Sequence, residues 1–300
     1  MTSTDAAVDT ARTIADTFER AGARGYLHAR RVGGPGALGL DADEPVVLAS
    51  VFKIAVALGY ARCVAEGRLD PRARTTIGRG DRVGGIGTAG CADDVQMSWR
   101  DVARFMLTMS DNAATDVVLR QVGLDAVHRA LAELGLHRTR LIGGCAEILA
   151  TMTDELGYDG IADLERDLAG VDAARVWALA ALDPVRTTAS TPSEMTSLLD
   201  AIWQDRAAAP AACAEVRAIM AAQIWPHRLT AGFPDAVRVA AKTGTLPGIR
   251  KQVGVVEYPD GARYAIAVFT RARELVERQP AIDAAIGATA RIAVEHLRAT

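Results

Sequence analysis

Apolar positions first recur at helical spacing. Val8, Ile14, Ala15 and Phe18 fall on one face of residues 6–21, and Gly22 stands behind them as a stop. Residues 25–32 read as a strand, and the glycine-rich stretch 33–39 as the hairpin turn that follows it. From Ser50 the chain is apolar as far as Ala65, with Phe52, Val56, Tyr60 and Cys63 on one side of a helix and Gly67 after its end. Residues 69–95 are rich in Gly and Asp and read as loop. Ser98 and Asp101 flank the start of the next apolar helix as in a capping box; it ends at 109–112, and further helices cover 113–122 and 125–134. Residues 136–192 are acidic and show no clean period. Pro192 opens a helix that runs to about Trp203, and another covers 213–223.

Near residue 237 the period falls to two. Residues 237–242, 252–258 and 263–269 alternate as strands, and Pro259-Asp260-Gly261 turns the last pair into a hairpin. A final helix covers 282–296. The order predicts an α+β fold: an antiparallel sheet of N- and C-terminal strands flanked by helices, plus an all-helical subdomain. We read residues 1–300 as a single domain, with an α/β part over 1–50 and 190–300 and a mainly helical part over 51–189.

Composition narrows the function classes. Half of the 300 residues are hydrophobic, enough for a sizeable core. The net charge of −3, from 34 basic and 37 acidic residues, gives no electrostatic case for nucleic acid or an anionic membrane. No apolar run approaches the roughly 20 residues of a membrane span. Cys63, Cys91, Cys145 and Cys213 are widely spaced, so neither a zinc site nor a disulfide framework is expected, and no metal or cofactor. The N-terminus lacks a basic segment followed by an apolar one. The expectation is a cytoplasmic monomer, periplasmic or secreted if a leader was removed. Gly34, Gly36 and Gly39 match G-x-G-x-x-G, but acidic residues and Pro45 follow where a dinucleotide site needs a helix.

The candidate chemistry centres on Ser50 and Lys53. Residues i and i+3 share a helix face, so the Lys53 amine can lie beside the Ser50 hydroxyl at a helix N-terminus, where the dipole favours negative charge. A serine is a weak nucleophile until a base takes its proton, and a desolvated lysine can be that base. Alone, the pair reads better as an ordinary N-cap serine with a lysine that falls at i+3 by chance. Ser110-Asp111-Asn112 and Lys242-Thr243-Gly244 follow in order, one after a helix end and one closing a strand. The triple resembles the motif set of class A β-lactamases and penicillin-binding proteins, and the segments around Ser110 and Lys242 resemble class A sequences closely. The resemblance covers about residues 5–298.

That resemblance implies a serine hydrolase that forms an acyl-enzyme at Ser50. Lys53 would accept the proton of Ser50, and Ser110 would relay one to the departing nitrogen. Asn112 would bind a substrate amide. Lys242 and Thr243 would hold the carboxylate of a small-molecule substrate, with Arg250 or Lys251 adding charge. The backbone N–H groups of Ser50 and Thr245 would form the oxyanion hole. One departure stands out. The family carries a water-activating glutamate in an E-x-x-L-N segment, whereas this chain offers Gly143-Gly144-Cys145-Ala146-Glu147-Ile148-Leu149, with Cys145 in the glutamate's register and Glu147 two residues late. Either Glu147 on a reshaped loop, Glu155 or Glu165 fills that role, or no residue does. Three functions compete: a β-lactam hydrolase, an intracellular biosynthetic esterase, amidase or acyltransferase on the same fold, and a penicillin-binding protein that is acylated and then stalls, acting as a sensor.

Overall fold

The computed structural model describes residues 3–300. The N-terminal part runs α1 (Ser3–Arg20), β1 (Ala23–Arg31), β2 (Ala37–Leu40) and β3 (Val46–Val47). The helical part holds α2 (Lys53–Ala65), β4 (Arg74–Ile77), β5 (Val95–Ser98), α3 (Trp99–Thr108), α4 (Asn112–Val122), α5 (Leu124–Glu133), α6 (Cys145–Leu156), α7 (Ile161–Asp167) and α8 (Ala173–Trp177). The chain then returns through β6 (Ala189–Ser190), α9 (Pro192–Trp203), α10 (Pro210–Ala221), β7 (Arg238–Leu246), β8 (Ile249–Glu257), β9 (Arg263–Ala272) and α11 (Pro280–Ala299).

One five-stranded antiparallel sheet, in the order β2-β1-β9-β8-β7, joins the two ends of the chain. Both of its faces are covered, so β8 and β9 are buried on alternate and intervening positions alike, where the sequence read as simple alternation. Tyr264, Ile266 and Val268 of β9 pack with Ile14 and Phe18 of α1 and with Ile286 and Val294 of α11. Ala265, Ala267 and Phe269 point the other way, into the core shared with the helical part. At the centre of that part α2 is buried on every side between Lys53 and Ala61, with α3, α4, α5 and α10 packed around it. The expected one-sided stripe is therefore an all-round apolar surface, as a fully enclosed helix requires.

Several elements differ from the sequence reading. The Gly- and Asp-rich stretch 69–95 carries β4, which pairs with β5 from Arg74↔Ser98 to Ile77↔Val95. These four-residue strands bury little beyond Ile77 and so show no alternation to detect. The 33–39 turn closes earlier than expected, through the Arg31 N–H donating to Gly36 O at 3.2 Å, and Ala37 already belongs to β2. Lys242-Thr243-Gly244 lies inside β7, which continues to Leu246. Residues 136–192 resolve into α6, α7, α8 and the short β6. No helix of the described residues is long and apolar enough to cross a membrane.

Candidate active site

Ser50 is delivered by a bent segment. Val46 and Val47 pair with Ser190 and Ala189, and the Leu48 N–H donates to Thr188 O at 3.0 Å. Ala49 then turns the chain at φ 43°, and Ala49–Phe52 form a single 3₁₀ turn before α2 begins at Lys53. Ser50 thus stands one tight turn ahead of the α-helix rather than on its first residue. Ser110, between α3 and α4, has φ 69°. Left-handed backbone costs a residue with a Cβ about 1–3 kcal/mol and persists where packing over-determines it. Both corners are held: Val51 N–H donates to Leu48 O, and Asp111, fully buried, accepts from Ala114 N–H and from both the N–H and hydroxyl of Thr88.

Lys53 joins these two corners. It is fully buried, and its Nζ donates to Ser110 O at 2.7 Å, Asn112 Oδ1 at 2.9 Å and Ser110 Oγ at 3.3 Å. Three protons therefore have three acceptors, and no hydrogen bond among the described residues runs from Lys53 to Ser50. Asn112 is engaged at its other end too, with Nδ2 donating to Gly84 O at 3.4 Å.

The third motif closes the site from the sheet. Lys242 is fully buried, with Nζ donating to Thr243 O at 2.9 Å. Burial, reinforced by the nearby charge of Lys53, holds its pKa well below the ordinary lysine value. Thr243 is buried and Thr245 exposed. Arg250, expected to add charge here, instead donates to the carbonyls of Leu246, Ile249 and Glu277 and braces the β7–β8 turn. The arginine beside the motif is Arg228, in the irregular segment between α10 and β7. It is buried and donates to Gly244 O at 3.1 Å, Lys251 O at 2.9 Å and Thr245 Oγ1 at 3.0 Å, while its Nε pairs with Asp283 at 2.6 Å. Nothing in its local sequence marks it, because its partners lie on three distant elements.

The start of α6 settles what lies behind Lys53. Cys145 is buried with its sulfur beside Lys53 and Thr115; both favour the thiolate, but burial outweighs them and pushes the pKa up to about 11. Glu147 is exposed, and its Oε2 accepts from the Gly144 N–H at 2.7 Å, so its carboxylate caps the start of α6. Asp116 on α4 accepts from the Cys145 N–H at 2.6 Å and the Ala146 N–H at 2.8 Å. Burial raises its pKa, those two N–H groups pulling the other way. Asp116 was not singled out from the sequence, although its place one turn beyond Asn112 on the same helix offered a signal. Glu155 accepts from Ala180 N–H and pairs with Arg186, and exposed Glu165 lies against the Gly84 loop. None of the three glutamates hydrogen-bonds Ser50, Lys53 or Ser110.

Comparison with known proteins follows the same lines. A family model described as "Beta-lactamase enzyme family" matches residues 9–297. The β-lactamase regulatory protein BlaB of Streptomyces cacaoi is 27% identical over 303 residues, 96% of this chain and 97% of that protein. Among solved structures, the β-lactamase of Sphaerobacter thermophilus superposes with a TM-score of 0.78 at 23% identity, over 97% of this chain and 98% of that one. A PBP-A mutant, solved as its acyl-enzyme complex with penicillin-G, gives 0.76 at 19% identity, over 98% and 97%. At those identities the structural likeness concerns the fold.

Proposed function

Because the chain belongs to the beta-lactamase enzyme family, we propose that it is a serine hydrolase acylated at Ser50 by β-lactams or related amides and esters that carry a carboxylate. The observation that supports this most directly is the buried Lys53 amine bound to both Ser110 and Asn112, which draws the first two motifs into one cluster. In the proposed reaction Ser50 Oγ forms a bond to the substrate carbonyl carbon, and its proton goes to Lys53. Lys53 takes that proton only as the neutral amine, whose lone pair then replaces one of its three donated bonds. The carbon–nitrogen bond breaks, and the leaving nitrogen receives a proton through Ser110 Oγ. The N–H groups of Ser50 and Thr245 stabilise the developing oxyanion, worth roughly 3–4 kcal/mol per donor. Lys242, Thr243 and Arg228 hold the carboxylate, and Asn112 exchanges Gly84 O for a substrate amide.

A second reading concerns what happens after acylation. The buried thiol beside Lys53, with Glu147 and Asp116 committed to the end of α6, favours a protein that is acylated and then releases the product slowly. The name of the Streptomyces cacaoi relative, a β-lactamase regulatory protein, fits a sensor of this kind. The test is incubation with a penicillin followed by intact-mass measurement and peptide mapping, beside turnover of a chromogenic cephalosporin and a panel of small esters. The expected result is an adduct on Ser50, absent from Ser50→Ala. An adduct elsewhere, or one that forms equally in Ser50→Ala, removes Ser50 as the nucleophile. Turnover of neutral esters alone supports the biosynthetic esterase instead.

A further inference from the structure

Lys251 on β8 is fully buried, yet no carboxylate pairs with it among the described residues. Its Nζ donates to the Val47 carbonyl oxygen and stands 5.4 Å from the centre of the Phe269 ring. Burying an ammonium without a counter-charge is unfavourable, and an apolar side chain of the same length would fill this space at lower cost. Burial accordingly holds its pKa well below the ordinary lysine value, with the charge of Arg228 a smaller contribution.

Its position explains what that cost supports. Lys251 stands opposite Gly244 in the β7–β8 register, and its stem lies against the bare face of that glycine. A Cβ on Gly244 would stand 2.8 Å from Lys251 Cγ and 2.9 Å from the Leu48 carbonyl oxygen, so neither could approach any other residue so closely. One end of Lys251 is therefore fixed beside Gly244 and Thr245, and the other holds the carbonyl three residues ahead of Ser50. Arg228 binds Lys251 O from behind, together with Gly244 O and Thr245 Oγ1, which makes the sheet side a rigid abutment. On its other side the same approach segment is held by the two-residue β3–β6 pairing and the Leu48–Thr188 bond.

We propose that Lys251 is a positioning residue that sets the spacing between the N–H groups of Ser50 and Thr245, and so the rate of acylation. The inference rests on the acyl-transfer reading above. The two donors come from separate elements, and a displacement of about 1 Å in such a pair can cost on the order of 10²-fold in rate.

The experiment compares wild type with Lys251→Met, which keeps the apolar stem to Cε and loses the donor. Stopped-flow reaction with a fluorescent penicillin separates the dissociation constant of the first complex from the saturating acylation rate constant. The expected result is an acylation rate constant lower by roughly 10–100-fold, a dissociation constant within about threefold of wild type, and a melting temperature equal or higher. Affinity for a boronic acid that mimics the tetrahedral intermediate falls in parallel with the rate. Acylation within about threefold of wild type, or a loss confined to the dissociation constant, overturns the proposal. If Lys251→Met does not fold, Lys251→Gln, whose shorter amide falls short of Val47, carries the same kinetic comparison with the same kinetic outcomes. A wild type that no penicillin labels at Ser50 overturns both this inference and the reading it rests on, whereas a labelled wild type matched by its Lys251 variants overturns this inference alone.

Discussion

The sulfur of Cys145 lies beside the amine of Lys53, and burial keeps that thiol protonated, its pKa pushed up to about 11. At neutral pH the group behind Lys53 is thus a weak donor and no base. An ester at Ser50 hydrolyses quickly only when a base holds water against its carbonyl, a contribution of roughly 10²–10⁴-fold.

Wild type should therefore show a burst of close to one equivalent per enzyme with a cephalosporin, followed by slow turnover. Cys145→Glu, which returns a carboxylate to this position, should raise the steady-state rate by on the order of 10²-fold while leaving the burst amplitude unchanged. Glu147→Gln should leave the lifetime of the acyl-enzyme as it is, because its amide oxygen still accepts from Gly144 N–H. Rapid, burst-free turnover by wild type would remove the premise. A longer-lived adduct in Glu147→Gln would show that Glu147 swings away from its cap to reach the water.

What the sequence made legible was whatever is written in local order. The apolar run of α2, the apolar stretch of β9 bounded by Pro259-Asp260-Gly261, and the three motifs each occupy one contiguous stretch, so composition and spacing reveal them. Residues whose meaning depends on distant partners were hidden. Arg228 sits in an irregular segment and gains its place only when Gly244, Thr245, Lys251 and Asp283 converge on it. Arg250 or Lys251 was expected to add charge at the substrate carboxylate, yet Lys251 turns into the core and Arg250 braces the β7–β8 hairpin. Glu147 is a different case. Its carboxylate is taken up by the Gly144 N–H at the start of α6, and Gly144-x-x-Glu147 lacks the Ser or Thr that would mark such a helix start in sequence.

Lys242→Ala should weaken reaction with carboxylate-bearing substrates by about 2–4 kcal/mol while sparing neutral esters, since a desolvated cation paired with a carboxylate is worth that much. Arg228→Ala should do the same and also destabilise the fold, by roughly 3–5 kcal/mol, because it leaves Asp283 without its partner and strips two carbonyls of their donor. The checks are kcat/KM on matched charged and neutral substrates, and urea denaturation. Equal losses on both substrate types for Lys242→Ala would show that the lysine does not read a carboxylate.

Asp116→Asn should loosen the first turn of α6. An asparagine accepts one of the two N–H groups and turns its own NH₂ toward the other, leaving a buried donor unpaired at a cost of about 1–3 kcal/mol. Hydrogen exchange at Cys145 and Ala146 should accelerate by tenfold or more, and the gain in turnover from Cys145→Glu should shrink when the two changes are combined. Unchanged protection at both amides would mean that α6 holds its start without Asp116.

The buried lysines make a prediction about pH. Lys242 and Lys251 both have folded pKa values well below the ordinary 10.5. A depressed folded pKa contributes stability that is present above the unfolded value and lost as pH falls toward the folded one, since the unfolded chain takes up a proton that the folded chain resists. Each lysine should therefore withdraw stability from the fold as pH descends below 10.5, by at most about 1.4 kcal/mol per pH unit, while the raised Cys145 thiol opposes that loss between about pH 11 and 9. Lys251→Met removes one of the two contributions. Its advantage over wild type in urea denaturation should widen as pH falls below 10.5 until the folded lysine itself takes up its proton, and the Cys145 thiol, which titrates in both proteins, cancels from the difference. Parallel stability curves across that range would mean that Lys251 meets water or a counter-charge in the folded protein, and the account of its burial would fall with it.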